Sequence, residues 1–259
     1  MSSKVIIVTG ASRGIGLAVV KILLDSKGAN VVAASRTITP ELQSLADAHP
    51  NSLKVVQGDL ANASVSLQTV SEAISAFERL DGIVFNAGIL EPLGRIASKD
   101  ISVDSWKSLF DINFFAVVQM LKDGIPYLRE RKGKVVLVSS GLANGKLASA
   151  APYSASKAAL NSLARTLANE EKEITSIALR PGVVDTGMQT ALRNEGPGKA
   201  AMLEHELTRF FDLHATGKLL KPEQPAEVIA GLVLHAPHEL SGRFVSWDSD
   251  DLEPFRTSL

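Results

Sequence analysis

Three residues carry recognisable chemistry: Ser140, Tyr153 and Lys157, with the lysine four positions after the tyrosine and the serine thirteen before it. On a helix, residues four apart share a face one turn from each other, so the phenol and the ammonium are expected to be neighbours. A free phenol titrates near pH 10, and a nearby cation favours phenolate, which is expected to draw that value down. Lowering it by roughly three pH units would represent about 4 kcal/mol. Such a tyrosine can pass a proton to a carbonyl oxygen that is becoming an alkoxide while hydride reaches its carbon, with Ser140 holding the oxygen. Tyrosine and lysine also meet at this spacing by chance, so their meaning rests on the elements around them.

The first of those elements is Lys4-Val5-Ile6-Ile7-Val8-Thr9 followed by Gly10-Ala11-Ser12-Arg13-Gly14-Ile15-Gly16. Val5 to Val8 are consecutive and apolar, as a strand covered on both faces requires. Leu17, Val20, Leu23 and Leu24 then recur at helical spacing, and Lys27-Gly28 reads as the helix end. Strand, glycine turn and helix in this order form a site for a dinucleotide pyrophosphate, which sits against the free N–H groups of the helix N-terminus.

Further β-branched runs fall near Val31–Ser35, Leu53–Gln57, Gly82–Asn86, Lys134–Ser139, Ile174–Leu179 and Gly242–Ser246, making seven strands with the first. Helical patterns fall near 40–48, 64–78, 103–130, 153–171 and 223–236. This alternation predicts an α/β fold: a single-domain, Rossmann-type, doubly wound parallel seven-stranded sheet with helices on both faces, spanning residues 1–259. The stretch 187–221 differs, with Gly-Pro-Gly at 196–198 and a helical patch from Met202 to Phe211. Because ligands bind beyond the carboxyl ends of the strands, it is expected to be a substrate lid.

Composition narrows the function classes. With 259 residues, 45% hydrophobic and 21% charged, the chain can bury a large core, and its net charge of −1 gives no electrostatic footprint for nucleic acid or an anionic membrane. There is no cysteine, hence neither disulfide nor thiolate metal site; His235 and His238 flank Pro237 without a third ligand nearby, and no metal is expected. Val5–Val8 leads straight into the glycine turn and does not read as a signal peptide, and no segment approaches the roughly 20 apolar residues that cross a bilayer. A cytoplasmic location is the expectation.

Taken together, the 9–16 turn, Asp59-Leu60, Asn86-Ala87-Gly88, Asn113, Ser140, Tyr153 with Lys157, and Pro181-Gly182 followed by Thr186 resemble the short-chain dehydrogenase/reductases over nearly the whole chain. Within that family the stretches 87–92, 111–115, 167–171 and 180–189 are most similar to the fungal benzil reductases that form (S)-benzoin, and more distantly to sepiapterin reductase. Phe85 departs from the pattern, since many members place an additional asparagine there. The resemblance implies that Lys157 also holds the nicotinamide ribose and that Asn113 anchors a water leading protons to Lys157. Under it, Gly10, Ser12, Arg13, Gly14, Ile15, Gly16, Ser35, Arg36, Asp59, Leu60, Asn86, Ala87, Gly88, Tyr153, Lys157, Pro181, Gly182, Val184, Thr186 and Met188 contact the cofactor. Asp59 would meet the adenine amine, Asn86 the adenosine ribose, and Val184 and Thr186 the carboxamide. It also implies a homodimer or homotetramer paired through the apolar helix with Trp106, Leu109, Phe110, Phe114, Val117, Val118 and Leu121 and the next helix with Ala155, Ala158, Ala159 and Leu163, a pattern that burial within the subunit explains as well.

Charge decides the cofactor form. An NAD site places an acid at the end of the second strand, whereas a 2′-phosphate requires its absence and a cation. Here that position is Ser35, Arg36 follows, and Arg13 approaches from the glycine turn, so NADP(H) is expected. The residues expected around the reacting carbon are Leu90, Leu142, Ala151, Val183, Met188, Phe210, Phe211 and Trp247, a mostly apolar set that favours a hydrophobic ketone or diketone as the small-molecule carbonyl substrate. Two alternatives stay open. One is a pterin, although Ser249 stands where sepiapterin reductases have aspartate; the other is a catalytically idle dinucleotide sensor.

Overall fold

The structure is a computed structural model that describes residues 3–194 and 201–256. Seven strands, β1 (Val5–Thr9), β2 (Asn30–Ser35), β3 (Leu53–Gln57), β4 (Gly82–Phe85), β5 (Lys134–Val138), β6 (Thr175–Arg180) and β7 (Phe244–Ser246), form one sheet in the order β3-β2-β1-β4-β5-β6-β7. Every pairing is parallel, so the carboxyl ends of all seven strands lie along one edge. The chain winds outward in both directions from the β1–β4 pair, and that switch point opens a crevice for a ligand.

The continuous apolar runs are explained by two covered faces. Ile6 and Val8 enter a core shared with α1 (Gly14–Asp25) and α9 (Glu223–His235), while Val5 and Ile7 enter a second core that includes residues of α3 (Ala63–Phe77), α5 (Ala116–Glu130) and α6 (Ala151–Glu170). All four side chains are 0% exposed. Burial of this kind contributes roughly 1.5–3 kcal/mol per branched aliphatic side chain. α2 (Pro40–Ala48) closes the β2–β3 crossover and starts at Thr39, whose hydroxyl accepts from Leu42 N.

The helix expected over 103–130 is continuous but not uniform: α4 (Val103–Phe110) and α5 are joined by a π-helical turn, Asp111–Phe115. The 187–221 stretch supplies α7 (Gly187–Asn194) and α8 (Glu204–Ala215), whereas its Gly-Pro-Gly at 196–198 lies outside the described residues. Its return path is stitched to the loop after β6, Leu220 N donating to Val183 O at 2.9 Å and Asp185 N to Leu220 O at 2.8 Å. Among the described residues no helix is long and apolar enough to cross a membrane, and no group of three His, Cys, Asp or Glu could hold a metal ion.

Candidate active site

The glycine turn after β1 fits a phosphate because it has no side chains where the backbone must close up. A Cβ on Gly16 would lie 2.2 Å from Gly10 O, and one on Gly10, whose φ is +64°, would lie 2.8 Å from the Ala87 Cα. Thr9 ties the turn to the end of β4: its hydroxyl accepts from Asn86 N at 3.0 Å and Ala87 N at 3.1 Å. Asn86 answers with Nδ2, which donates to both Thr9 O and Gly10 O at 3.1 Å and leaves Oδ1 as its free polar atom. No side chain caps the N-terminus of α1 and no acid stands in its first turn, so its leading N–H groups remain available to an anion.

From this turn a cleft of about 1210 Å³ runs along the carboxyl edge of the sheet. Every residue expected to contact the cofactor or act in catalysis lines it apart from Gly16, which is packed against Gly10, and Asn113, which is fully buried behind the wall. At one end Ser35 occupies the position where an acid would discriminate against a 2′-phosphate. It is 2% exposed, and its hydroxyl has no hydrogen-bond partner. Arg36 and Arg13 are exposed beside it, and neither is in an ion pair among the described residues. The anion-ready helix end, the orphaned hydroxyl and two uncompensated cations all suit a phosphorylated dinucleotide. Asp59 sits at the rim, its Oδ1 accepting from Ala61 N at 3.0 Å in the turn that leads to α3.

In the middle of the cleft the three chemically competent side chains come together. Tyr153 and Lys157 lie on the first turns of α6, with the lysine Nζ 5.6 Å from the tyrosine ring centroid. Ser140, just beyond β5, stands beside the Tyr153 phenol and accepts from Leu142 N at 3.1 Å. The expectation that Lys157 lowers the phenol is corrected here. Burial dominates and pushes Tyr153 above its usual value, with the neighbouring Ser140 hydroxyl pulling the other way. Lys157 is itself buried, which lowers it to about 8, and its Nζ donates to Val138 O at 2.7 Å. The phenol therefore holds its proton at neutral pH, and the ammonium is the more labile acid.

Asn113 stands inside the π-helical turn, with its amide on the loop after β4 and on α6; such turns frequently mark functional sites. Its Oδ1 accepts from Ile89 N at 2.8 Å, and Nδ2 donates to Ile89 O at 2.9 Å and Ser156 Oγ at 3.2 Å. Gly88 keeps a gap open between the two polar groups, since a Cβ there would lie 3.4 Å from Asn113 Oδ1 and 3.5 Å from Lys157 Nζ.

The third part of the cleft is walled by Leu90, Leu142, Leu147, Met188, Leu192 and Phe210, under α7 and α8. Glu206 fixes α8 over it by accepting from Ala148 N at 3.2 Å and Leu203 N at 2.9 Å. Three residues expected near the reacting carbon are elsewhere. Ala151 does not reach the cleft, Phe211 points outward at 39% exposure, and Trp247 packs on Gly182, where a Cβ would lie 2.9 Å from its Nε1.

The sequence model of the short chain dehydrogenases matches residues 4–196. This chain belongs to that family. As a short-chain dehydrogenase it is an oxidoreductase that works with a nicotinamide dinucleotide. An uncharacterized oxidoreductase of Schizosaccharomyces pombe is 44% identical over 248 residues, covering 96% of this chain and 98% of the relative. A Saccharomyces cerevisiae protein named benzil reductase ((S)-benzoin forming) is 37% identical over 259 residues, covering 97% and 98%. The crystal structure of a short chain dehydrogenase/reductase from Saccharomyces cerevisiae superposes with a TM-score of 0.93 at 39% identity, covering 98% of this chain and all of that one.

Several polar residues of this dehydrogenase cleft escaped the sequence reading, Arg180 and Gln189 among them. Arg180 ends β6 and lines the cleft next to Gly141, and Gln189 is 9% exposed in the wall with its Oε1 unpartnered. The signal for Arg180 was its place directly before Pro181-Gly182; nothing in the spacing marks Gln189.

Proposed function

We propose that this short-chain dehydrogenase is an NADPH-dependent carbonyl reductase acting on hydrophobic ketones and vicinal diketones. The observation that carries the reading is a buried phenol, raised by its surroundings, beside Ser140 and in the same cleft as the glycine turn and an apolar pocket. When bound, the reduced nicotinamide supplies the hydride. Ser140 holds the substrate oxygen, and Tyr153 keeps its proton until that oxygen becomes basic enough to take it. Lys157, lowered to about 8, restores the proton to the phenol and is itself reprotonated from solvent through a water anchored at Asn113. Arg13 and Arg36 hold the 2′-phosphate, with Ser35 in place of the excluding acid. The 37% identical protein named benzil reductase supports the diketone class.

The remaining expectations belong to the same reading. The chain acts as one domain, with the segment 187–221 as its substrate lid. It assembles as a dimer or tetramer, a role open to Val103 and Phe115, which are 72% and 55% exposed; Leu109, Val117 and Leu121 are instead buried within the subunit. A pterin substrate is disfavoured because Ser249 is spent in a turn, accepting from Ser246 N at 3.1 Å, and does not line the cleft. The test is loss of NADPH absorbance over a panel of aryl ketones, vicinal diketones and pterins. Turnover confined to the first two supports the reading, turnover of pterins alone replaces it, and tight NADPH binding without any turnover makes the protein a sensor.

A further inference from the structure

We infer that Arg180 orients the substrate by donating from its guanidinium to an oxygen on the carbon next to the reacting carbonyl, so that the enzyme selects vicinal dicarbonyls over isolated ketones. The inference deepens the carbonyl-reductase reading above and rests on it. Arg180 lies at the carboxyl end of β6, where it lines the cleft. Its side chain lies flat against Gly141: a Cβ built there would meet Nε at 3.1 Å, Cδ at 3.5 Å and Cζ at 3.6 Å, all atoms of Arg180. Gly141 directly follows Ser140, so the guanidinium stands one residue from the group that holds the reacting oxygen. The bare glycine is what lets the long side chain lie there.

The guanidinium is also uncommitted. No ion pair involves it among the described residues. Of the acids that line the cleft, Glu206 is engaged by the backbone N–H groups of Ala148 and Leu203, Glu91 has its own partner, and neither Asp59 nor Asp185 forms an ion pair with Arg180. Arg180 thus brings a fork of planar donors to a cleft whose substrate end is walled largely by leucine, methionine and phenylalanine, next to Ser140 and Tyr153. A cation prefers an acceptor oxygen, and the second carbonyl of a vicinal dicarbonyl lies one bond from the first. A site built to bind that oxygen rejects the analogue that lacks it, because the donor is then left unpaired.

Benzil and deoxybenzoin differ only in that second oxygen and make the test. Charge-assisted hydrogen bonds of this kind correspond to factors of about ten to a hundred. Arg180→Met is expected to lower kcat/KM for benzil by that factor while changing deoxybenzoin less than about threefold, and Arg180→Lys to recover part of the loss. Calorimetric binding of benzil to the NADP+ complex should weaken in parallel with Arg180→Met. An equal fall for both ketones would mean a structural role and overturn the inference, as would no fall for either. If the wild type turns over neither ketone, it is the carbonyl-reductase reading that fails.

Discussion

Replacing Lys157 by methionine is expected to make the protein more stable at pH 7, although it removes the centre of the site. The ammonium is 3% exposed, and burial lowers it from its ordinary 10.5 to about 8. At 1.36 kcal/mol per pH unit that difference corresponds to a cost on the order of 3 kcal/mol for keeping the charge inside the fold below pH 8. Methionine preserves the length and apolar stem but forfeits the hydrogen bond to Val138 O, worth about 1 kcal/mol. The net expectation is a gain of about 2 kcal/mol for Lys157→Met at pH 7. The sign with pH follows from linkage. Between about 8 and 10.5 the unfolded wild type binds more protons than the native state, so this group makes wild-type stability rise across that window. Near pH 10.5 and above, the mutant's advantage fades and it becomes about 1 kcal/mol the less stable. Urea denaturation followed by the fluorescence of Trp106 and Trp247, on both proteins without nucleotide at pH 7 and pH 10.5, measures the double difference. A mutant less stable at pH 7, or a difference unchanged between the two pH values, would refute the assignment of a buried, strained ammonium.

Two other substitutions test the cofactor end. Arg36→Asp puts a carboxylate beside the proposed 2′-phosphate site and should move the NADPH over NADH preference by tens-fold or more toward NADH, read as the ratio of kcat/KM for the two cofactors; an unchanged ratio removes Arg36 from phosphate recognition. Gly16→Ala would set its Cβ 2.2 Å from a backbone oxygen that cannot swing away. The turn must shift, at about 2–3 kcal/mol, so a thermal melt should show a fall on the order of 5–10 °C. NADPH titration should show weakened binding in the same variant, and a wild-type melt would mean that the turn is not close-packed.

The strands were legible because burial on both faces demands unbroken apolar runs, and all seven fall within about two residues of their expected ends. That most of the expected cofactor and catalytic residues would line one cleft was legible too, since they sit at strand ends and in a glycine turn. What depends on tertiary surroundings was not. The π-helical turn at Asp111–Phe115 alters a hydrogen-bond register that side-chain periodicity does not encode. Phe211 was expected inside beside Phe210, yet one residue along α8 turns it about 100° away, into solvent. The electrostatics of Tyr153 reversed because spacing reveals that a cation is near but not how little water reaches the pair.

The central claim is that Tyr153 delivers the proton from a cleft that also holds NADPH. Tyr153→Phe removes one oxygen and leaves the ring packed. Measured side by side, NADPH affinity by fluorescence titration should stay within about threefold of wild type, while turnover of a vicinal diketone falls by a factor of about 100 to 10,000. Diketone turnover retained within tenfold, with NADPH bound normally, would contradict the account.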